Sequence, residues 1–315
     1  MKNKISIKSL VKLAGNLVVI LALVFLVKKF MDMDVDFSQL ASGNIASSFI
    51  LSTVIQALLI VMACFPWLVF TQSLSGKKIP YSSAMPVYTR SNIYKYLPGN
   101  VFQYVGRNQL ASDMNISHVD VACATVLDVF FCVLWTGVIS VILLGTAITA
   151  LLEKYGRNIL IIGAVGVVAV IVLAVIVRLK FMDKVKGYLS RYSKAFEKEN
   201  RGKLIQGVVY YLVHNSISAV MYFLCLALVF GDSATASELV SLTGAFLFAW
   251  IIGFVTPGAP GGIGVRESVM IFVCGEKHEE KVLLFVLVMR IASVVADLTA
   301  FLIGHIYLKI KSKKA

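Results

Sequence analysis

Two arginines in this chain each stand nine residues beyond a helix-breaking proline. Arg107 follows Pro98-Gly99, and Arg266 follows Pro257-Gly258 within Thr256-Pro-Gly-Ala-Pro-Gly-Gly-Ile-Gly264. Glycines such as Gly261, Gly262 and Gly264 free backbone N–H groups. A guanidinium beside such groups at a half-helix N-terminus makes a phosphate cradle; alternatively, the glycines only permit close helix packing. Glu267 adjoins the second arginine, and Tyr94, Lys95, Gln103 and Tyr104 flank the first. These side chains suit head-group hydroxyls or, equally, anchor a membrane interface. Asp128, Arg290 and Asp297 lie inside apolar runs, where a charge costs about 2.5–3.5 kcal/mol and therefore faces a cavity or a partner. Arg290 and Asp297, two helical turns apart on one face, form an ion pair with each other or with a neighbour, or else serve the site. His214-Asn215, in another apolar run, is either an interhelical hydrogen bond or a proton relay.

Enzyme chemistry is harder to assemble. The chain carries no Gly-rich loop ending in Lys-Ser/Thr and no nucleophile elbow. Its five cysteines are unevenly spaced, and its four histidines have no metal-ligand spacing, so neither a disulfide framework, a metal nor a cofactor is expected. A membrane-embedded glycosyl- or acyltransferase using a lipid donor is the alternative. It needs a base near the membrane surface, for which only Asp113 and Asp120 come close.

These residues must be positioned by membrane helices. Of 315 residues, 58% are hydrophobic and 15% charged, against roughly 45–50% and 25% in soluble domains. Six apolar stretches, Leu13–Val27, Ile45–Phe70, Val121–Leu152, Ile159–Val177, Leu204–Phe230 and Val282–Leu308, supply crossings of a hydrocarbon core about 30 Å thick. The basic N-terminus is followed by Lys28, Lys29 and three aspartates rather than by a small-residue cleavage site, which makes the first stretch a retained helix. The net charge of +13 gathers beside helix ends, nine basic residues of it in Arg178–Lys203. That is orientation in a membrane, not nucleic-acid binding. Both termini and that segment are expected in the cytoplasm, with Gly231–Glu238 outside.

Leu239–Cys274 then cannot cross once without stranding the C-terminal lysines outside. Its central break and apolar flanks fit a re-entrant hairpin, tolerated where irregular backbone is buried in protein or lines a wet cavity. Ser82–Asp113, broken at Pro98-Gly99, is either an interfacial amphipathic helix or a second such hairpin. The two breaks lie 159 residues apart, and the same shift lays Ile45–Phe70 on Leu204–Phe230 and the third helix on the sixth; the first helix maps late on the fourth. The reading is one all-α integral membrane domain, 1–315. It has about six transmembrane helices plus two re-entrant broken hairpins, in an inverted repeat of halves 1–150 and 151–315. Paired interrupted segments of that kind point to a shared binding site near the midplane.

The breaks also carry a resemblance. Tyr94-Lys-Tyr-Leu-Pro-Gly-Asn-Val-Phe-Gln-Tyr-Val-Gly-Arg107 and Thr256-Pro-Gly-Ala-Pro-Gly-Gly-Ile-Gly-Val-Arg-Glu267 resemble the two signatures of the lysylphosphatidylglycerol synthase transmembrane-region family. That family includes the flippase domain of multiple peptide resistance factor. Val126-Leu-Asp128 and Met289-Arg-Ile291 fall where it places charged helix residues, and the likeness covers essentially the whole chain. It implies a flippase-like transporter of a lipid substrate, not an enzyme, in a bacterial or archaeal plasma membrane. The lipid would carry an anionic or glycosylated head group: a polyprenyl-phosphate sugar, a glycolipid or an aminoacyl-phospholipid. Relatives imply envelope-polysaccharide enzymes as partners. With nothing after Ala315, a stand-alone member without the synthase domain is expected.

Overall fold

The computed structural model describes residues 42–97, 101–145, 190–255, 265–274 and 278–314. The expected helices Leu13–Val27 and Ile159–Val177 lie outside these, as do both breaks with Pro98, Gly99, Pro257, Gly258, Gly261, Gly262 and Gly264. The described residues form helices and no strand. They are α1 (Gly43–Met62), α2 (Cys64–Ser75), α3 (Tyr81–Asn92), α4 (Phe102–Leu110), α5 (His118–Leu144), α6 (Arg201–Phe230), α7 (Ala236–Val255), α8 (Val265–Cys274) and α9 (Glu279–Lys314). A short 3₁₀ turn, Ile93–Tyr96, prolongs α3 up to the first break.

Among the described residues, five helical segments are long and apolar enough to cross a membrane: Gly43–Ser75, His118–Leu144, Arg201–Ser233, Ala236–Phe254 and Glu279–Lys311. The chain is therefore a multi-pass membrane protein. The first segment, expected as one helix, is interrupted at Ala63. Pro66 has no N–H to offer the Met62 carbonyl four residues earlier, so the ladder loses a bond there. The segment leading to the second break also differs in scale from a half-depth arm. At 1.5 Å per residue, the 20 residues of α7 extend about 30 Å, a full hydrocarbon thickness.

Local chemistry sets the helix ends. Gly76 closes α2 in the left-handed conformation, φ 68°. Ser117 caps α5 by accepting the Val119 N–H. Thr235 and Glu238 form a reciprocal capping box at the start of α7, with the Glu238 carboxylate accepting the Thr235 N–H at 2.8 Å.

Packing interleaves the two halves of the sequence. α7 lies along α5, α9 along α1, and α3 against α9. Small residues allow these approaches, as membrane helices require where apolar burial gives no net drive. A Cβ on Gly244 of α7 would sit 2.6 Å from the Leu144 backbone nitrogen, and Ser140 donates to the Gly244 carbonyl at 2.9 Å. Gly304 of α9 plays the same part against Thr89 of α3. Two apolar clusters result. One surrounds Trp67, Phe70, Tyr88 and Ala124; the other surrounds Met221, Phe246, Met270 and Phe285.

Candidate functional site

Where the two clusters meet, the bundle holds a partly open cavity of about 320 Å³. Each wall is a stripe at helical spacing. Tyr88, Asn92, Lys95 and Tyr96 come from α3 and its 3₁₀ extension, and Asp128, Cys132 and Thr136 from α5. Tyr211, His214, Asn215 and Ser218 come from α6, and Arg290, Ser293 and Asp297 from α9. From α4 come Gln103, Tyr104 and Arg107; Arg266 enters from the start of α8. The residues just beyond the two breaks thus line one space.

Arg107 and Asp128 form a sealed pair. Arg107 Nη1 lies 3.1 Å from Asp128 Oδ2, and the two side chains are 3% and 4% exposed. Tyr211 and Tyr88 also donate to this carboxylate, at 2.5 and 3.4 Å. The guanidinium sits 3.8 Å from the Tyr88 ring centroid and 5.7 Å from that of Trp67, and its Nε donates to Ser91 Oγ. Aromatic faces and hydroxyls here replace the water that a membrane-buried charge pair gives up. Trp67 is itself fixed by donating to Thr125 Oγ1 at 3.1 Å.

Asp297 gathers a second cluster. It accepts from Asn92 Nδ2 at 2.6 Å, Tyr96 Oη at 2.5 Å and Lys95 Nζ at 2.7 and 2.8 Å. All three donors belong to the turn before the first break, so α9 holds that turn through one carboxylate. Asp297 therefore pairs with this neighbour, not with Arg290 along its own helix. Its side chain is fully buried, whereas that of Lys95 is 29% exposed.

The remaining candidates divide. Arg290 is buried and Arg266 partly buried, and both line the cavity. Tyr94 serves packing: a Cβ on Gly106 would fall 2.0 Å from its ring, so that glycine exists for close approach of α4. The side chain of Glu267 lies outside the described residues. Asn215 makes an interhelical bond, donating to the Cys132 carbonyl at 3.1 Å, and His214 lies 3.4 Å from Tyr210 Oη. Asp120, one of the two aspartates considered as a transferase base with Asp113, pairs with Arg191. Among the described residues, no three His, Cys, Asp or Glu side chains gather as metal ligands do.

Sequence reasoning missed Tyr88, Ser91, Asn92 and Tyr96, although with Lys95 they recur at i, i+3, i+4, i+7 and i+8, a single helical face. It also missed Tyr211, one turn before His214-Asn215. Those polar periodicities were the available signal.

Helices that each present one polar stripe inward define an integral membrane protein with a charged, partly open interior cavity. The cavity's charged walls, among the described residues, are Lys95, Arg107, Arg266 and Arg290 against Asp128 and Asp297, formally two positive charges in excess. The chain belongs to the lysylphosphatidylglycerol synthase transmembrane-region family, whose sequence model matches residues 13–300. That family is a membrane domain associated with lipid flipping. Comparison with curated proteins found no match, and comparison with solved structures found none.

Proposed function

We propose that this protein moves a lipid with an anionic or glycosylated head group between membrane leaflets, without covalent chemistry of its own. One observation carries the reading: the cations beyond the two breaks, Arg107 and Arg266, line one cavity whose charged walls, among the described residues, are positive in sum. A lipid phosphate in bare hydrocarbon is prohibitively costly, so a translocation path must offer compensating charge at depth. Arg266, Arg290 and the partly exposed Lys95 line the same cavity beside the buried Arg107, and in this reading they meet the anion together. In this reading the halves 1–150 and 151–315 are inverted repeats that rock about the cavity. The termini are cytoplasmic and the membrane is the plasma membrane. A polyprenyl-phosphate-linked sugar or another anionic glycolipid is the preferred cargo, and envelope-polysaccharide enzymes are the partners.

The test uses vesicles reconstituted with the full chain and a fluorescent anionic lipid, quenched from outside. Arg266→Lys replaces a bidentate fork with a point charge. It is expected to slow flipping roughly tenfold, the equivalent of one charge-assisted hydrogen bond, while the protein remains folded by thermal unfolding. Wild-type flipping in both Arg266→Lys and Arg266→Met would overturn the reading.

A further inference from the structure

The two faces of α4 lead to different solvents. Gln103, Tyr104 and Arg107 face the polar cavity, whereas Val101, Phe102 and Val105 are exposed on the outer side. Between that outer side and α5 lies an open groove of about 620 Å³, walled chiefly by Val105, Ala122, Val126 and Phe130. Its lining contains no charged side chain among the described residues. Asn108, also in the lining, donates to the His118 carbonyl at 2.8 Å and so ties the last turn of α4 to the first turn of α5. Tyr104 and Val129 line both the groove and the cavity. The two spaces therefore adjoin the same two residues, one from α4 and one from α5.

We propose that the groove between α4 and α5 holds the hydrocarbon chain of the lipid whose anionic head group occupies the cavity, with Tyr104 and Val129 forming the lateral passage. This rests on the lipid-translocation reading and adds its route. Any outward apolar face in a membrane meets lipid, because water does not reach it. This face differs in being concave and in adjoining a charged interior. An amphiphile placed across Tyr104 and Val129 keeps its chain in an apolar surround and its head group among cations. Neither part has to enter the wrong solvent.

The experiment uses nanodiscs of phosphatidylcholine holding the full chain and one of two probes, phosphatidylglycerol or a polyprenyl phosphate, each with a diazirine in its hydrocarbon chain. After photolysis, crosslinks from at least one anionic probe should concentrate on Val105, Val126 and Phe130, above the level given by phosphatidylcholine carrying the same diazirine. Equal labelling by anionic and zwitterionic probes would overturn the groove, and so would enrichment on another face. As a second measurement, Ala122→Trp fills the groove and should slow flipping of the enriched probe about tenfold. Its binding of inorganic phosphate should match wild type. If Ala122→Trp fails to fold, Val126→Trp, at a position 56% exposed, takes its place. A wild-type protein that binds no phosphate and flips neither probe overturns the transport reading itself. One that does both, with groove-filled variants equal to it, overturns only the groove.

Discussion

Among the described residues lining the cavity, Arg107–Asp128 and Lys95–Asp297 are ion pairs built from the same charges but to different designs. Around Asp128 everything is closed: Arg107 is 3% exposed, two tyrosines donate to the carboxylate, and two aromatic rings cover the guanidinium. Around Asp297 only the acid is closed. Lys95 reaches it from a side chain that stays 29% exposed on the cavity side. In a medium where an unpaired charge is expensive, the first arrangement leaves neither partner free to exchange. It fixes α4 to α5 and α6. The second keeps its cation partly exposed, while Asn92 and Tyr96 also donate to the carboxylate; under the proposed function, that cation is the one able to turn toward an anion. The difference lies in the neighbours, not in the charges.

The largest effect expected from that contrast is on stability. Asp128→Ala strands a buried guanidinium and should cost about 3–5 kcal/mol, read as thermal unfolding in detergent. The double variant Arg107→Met with Asp128→Leu should recover most of it. A loss near zero for the single variant would show that Arg107 finds another partner and is no clamp.

Removing one hydroxyl from each cluster sharpens the comparison. Tyr211→Phe takes a donor from the sealed carboxylate and should cost about 1.5–3 kcal/mol, as hydrogen bonds to charged groups do. Tyr96→Phe takes a donor from an equally charged carboxylate, but the partly exposed Lys95 can readjust, so a cost nearer the lower end of about 1.5–3 kcal/mol is expected. Equal costs, measured in the same detergent, would mean the two sites are equally rigid and would break the distinction.

Lys95→Met is expected to cost less than Asp128→Ala, because Asn92 and Tyr96 still donate to the buried Asp297 and the lost cation is partly exposed. Flipping of an anionic lipid should nevertheless fall in reconstituted vesicles, since the lost cation faces the cavity. A variant that flips normally would make Lys95 a tether for the turn before the break and nothing more.

Much of this molecule is readable from one dimension. The crossings α5, α6 and α9 lie close to Val121–Leu152, Leu204–Phe230 and Val282–Leu308, because a run of apolar residues long enough for the bilayer has few other fates. Arg107, Asp128, Arg266, Arg290 and Asp297 stand out in the sequence because each interrupts or borders such a run, and all five line the cavity. The interruption at Ala63 was less visible, since one proline near a helix end is common and only its effect on the Met62 carbonyl reveals the bend.

Composition and hydropathy by themselves determined that the chain lives in a membrane and which segments can cross it. They also determined which charges must be compensated, since the cost of a charge in hydrocarbon depends on its burial alone. Which partner compensates each charge was decided only by the tertiary structure. Arg107 meets Asp128 21 residues away and Lys95 meets Asp297 202 residues away. Sequence spacing favoured a pair between Arg290 and Asp297 as readily. The packing of α3 on α9 made the choice, through contacts as small as Gly304 against Thr89. It also made Tyr88, Tyr96 and Tyr211, whose helical spacing alone names no partner, donors to buried carboxylates.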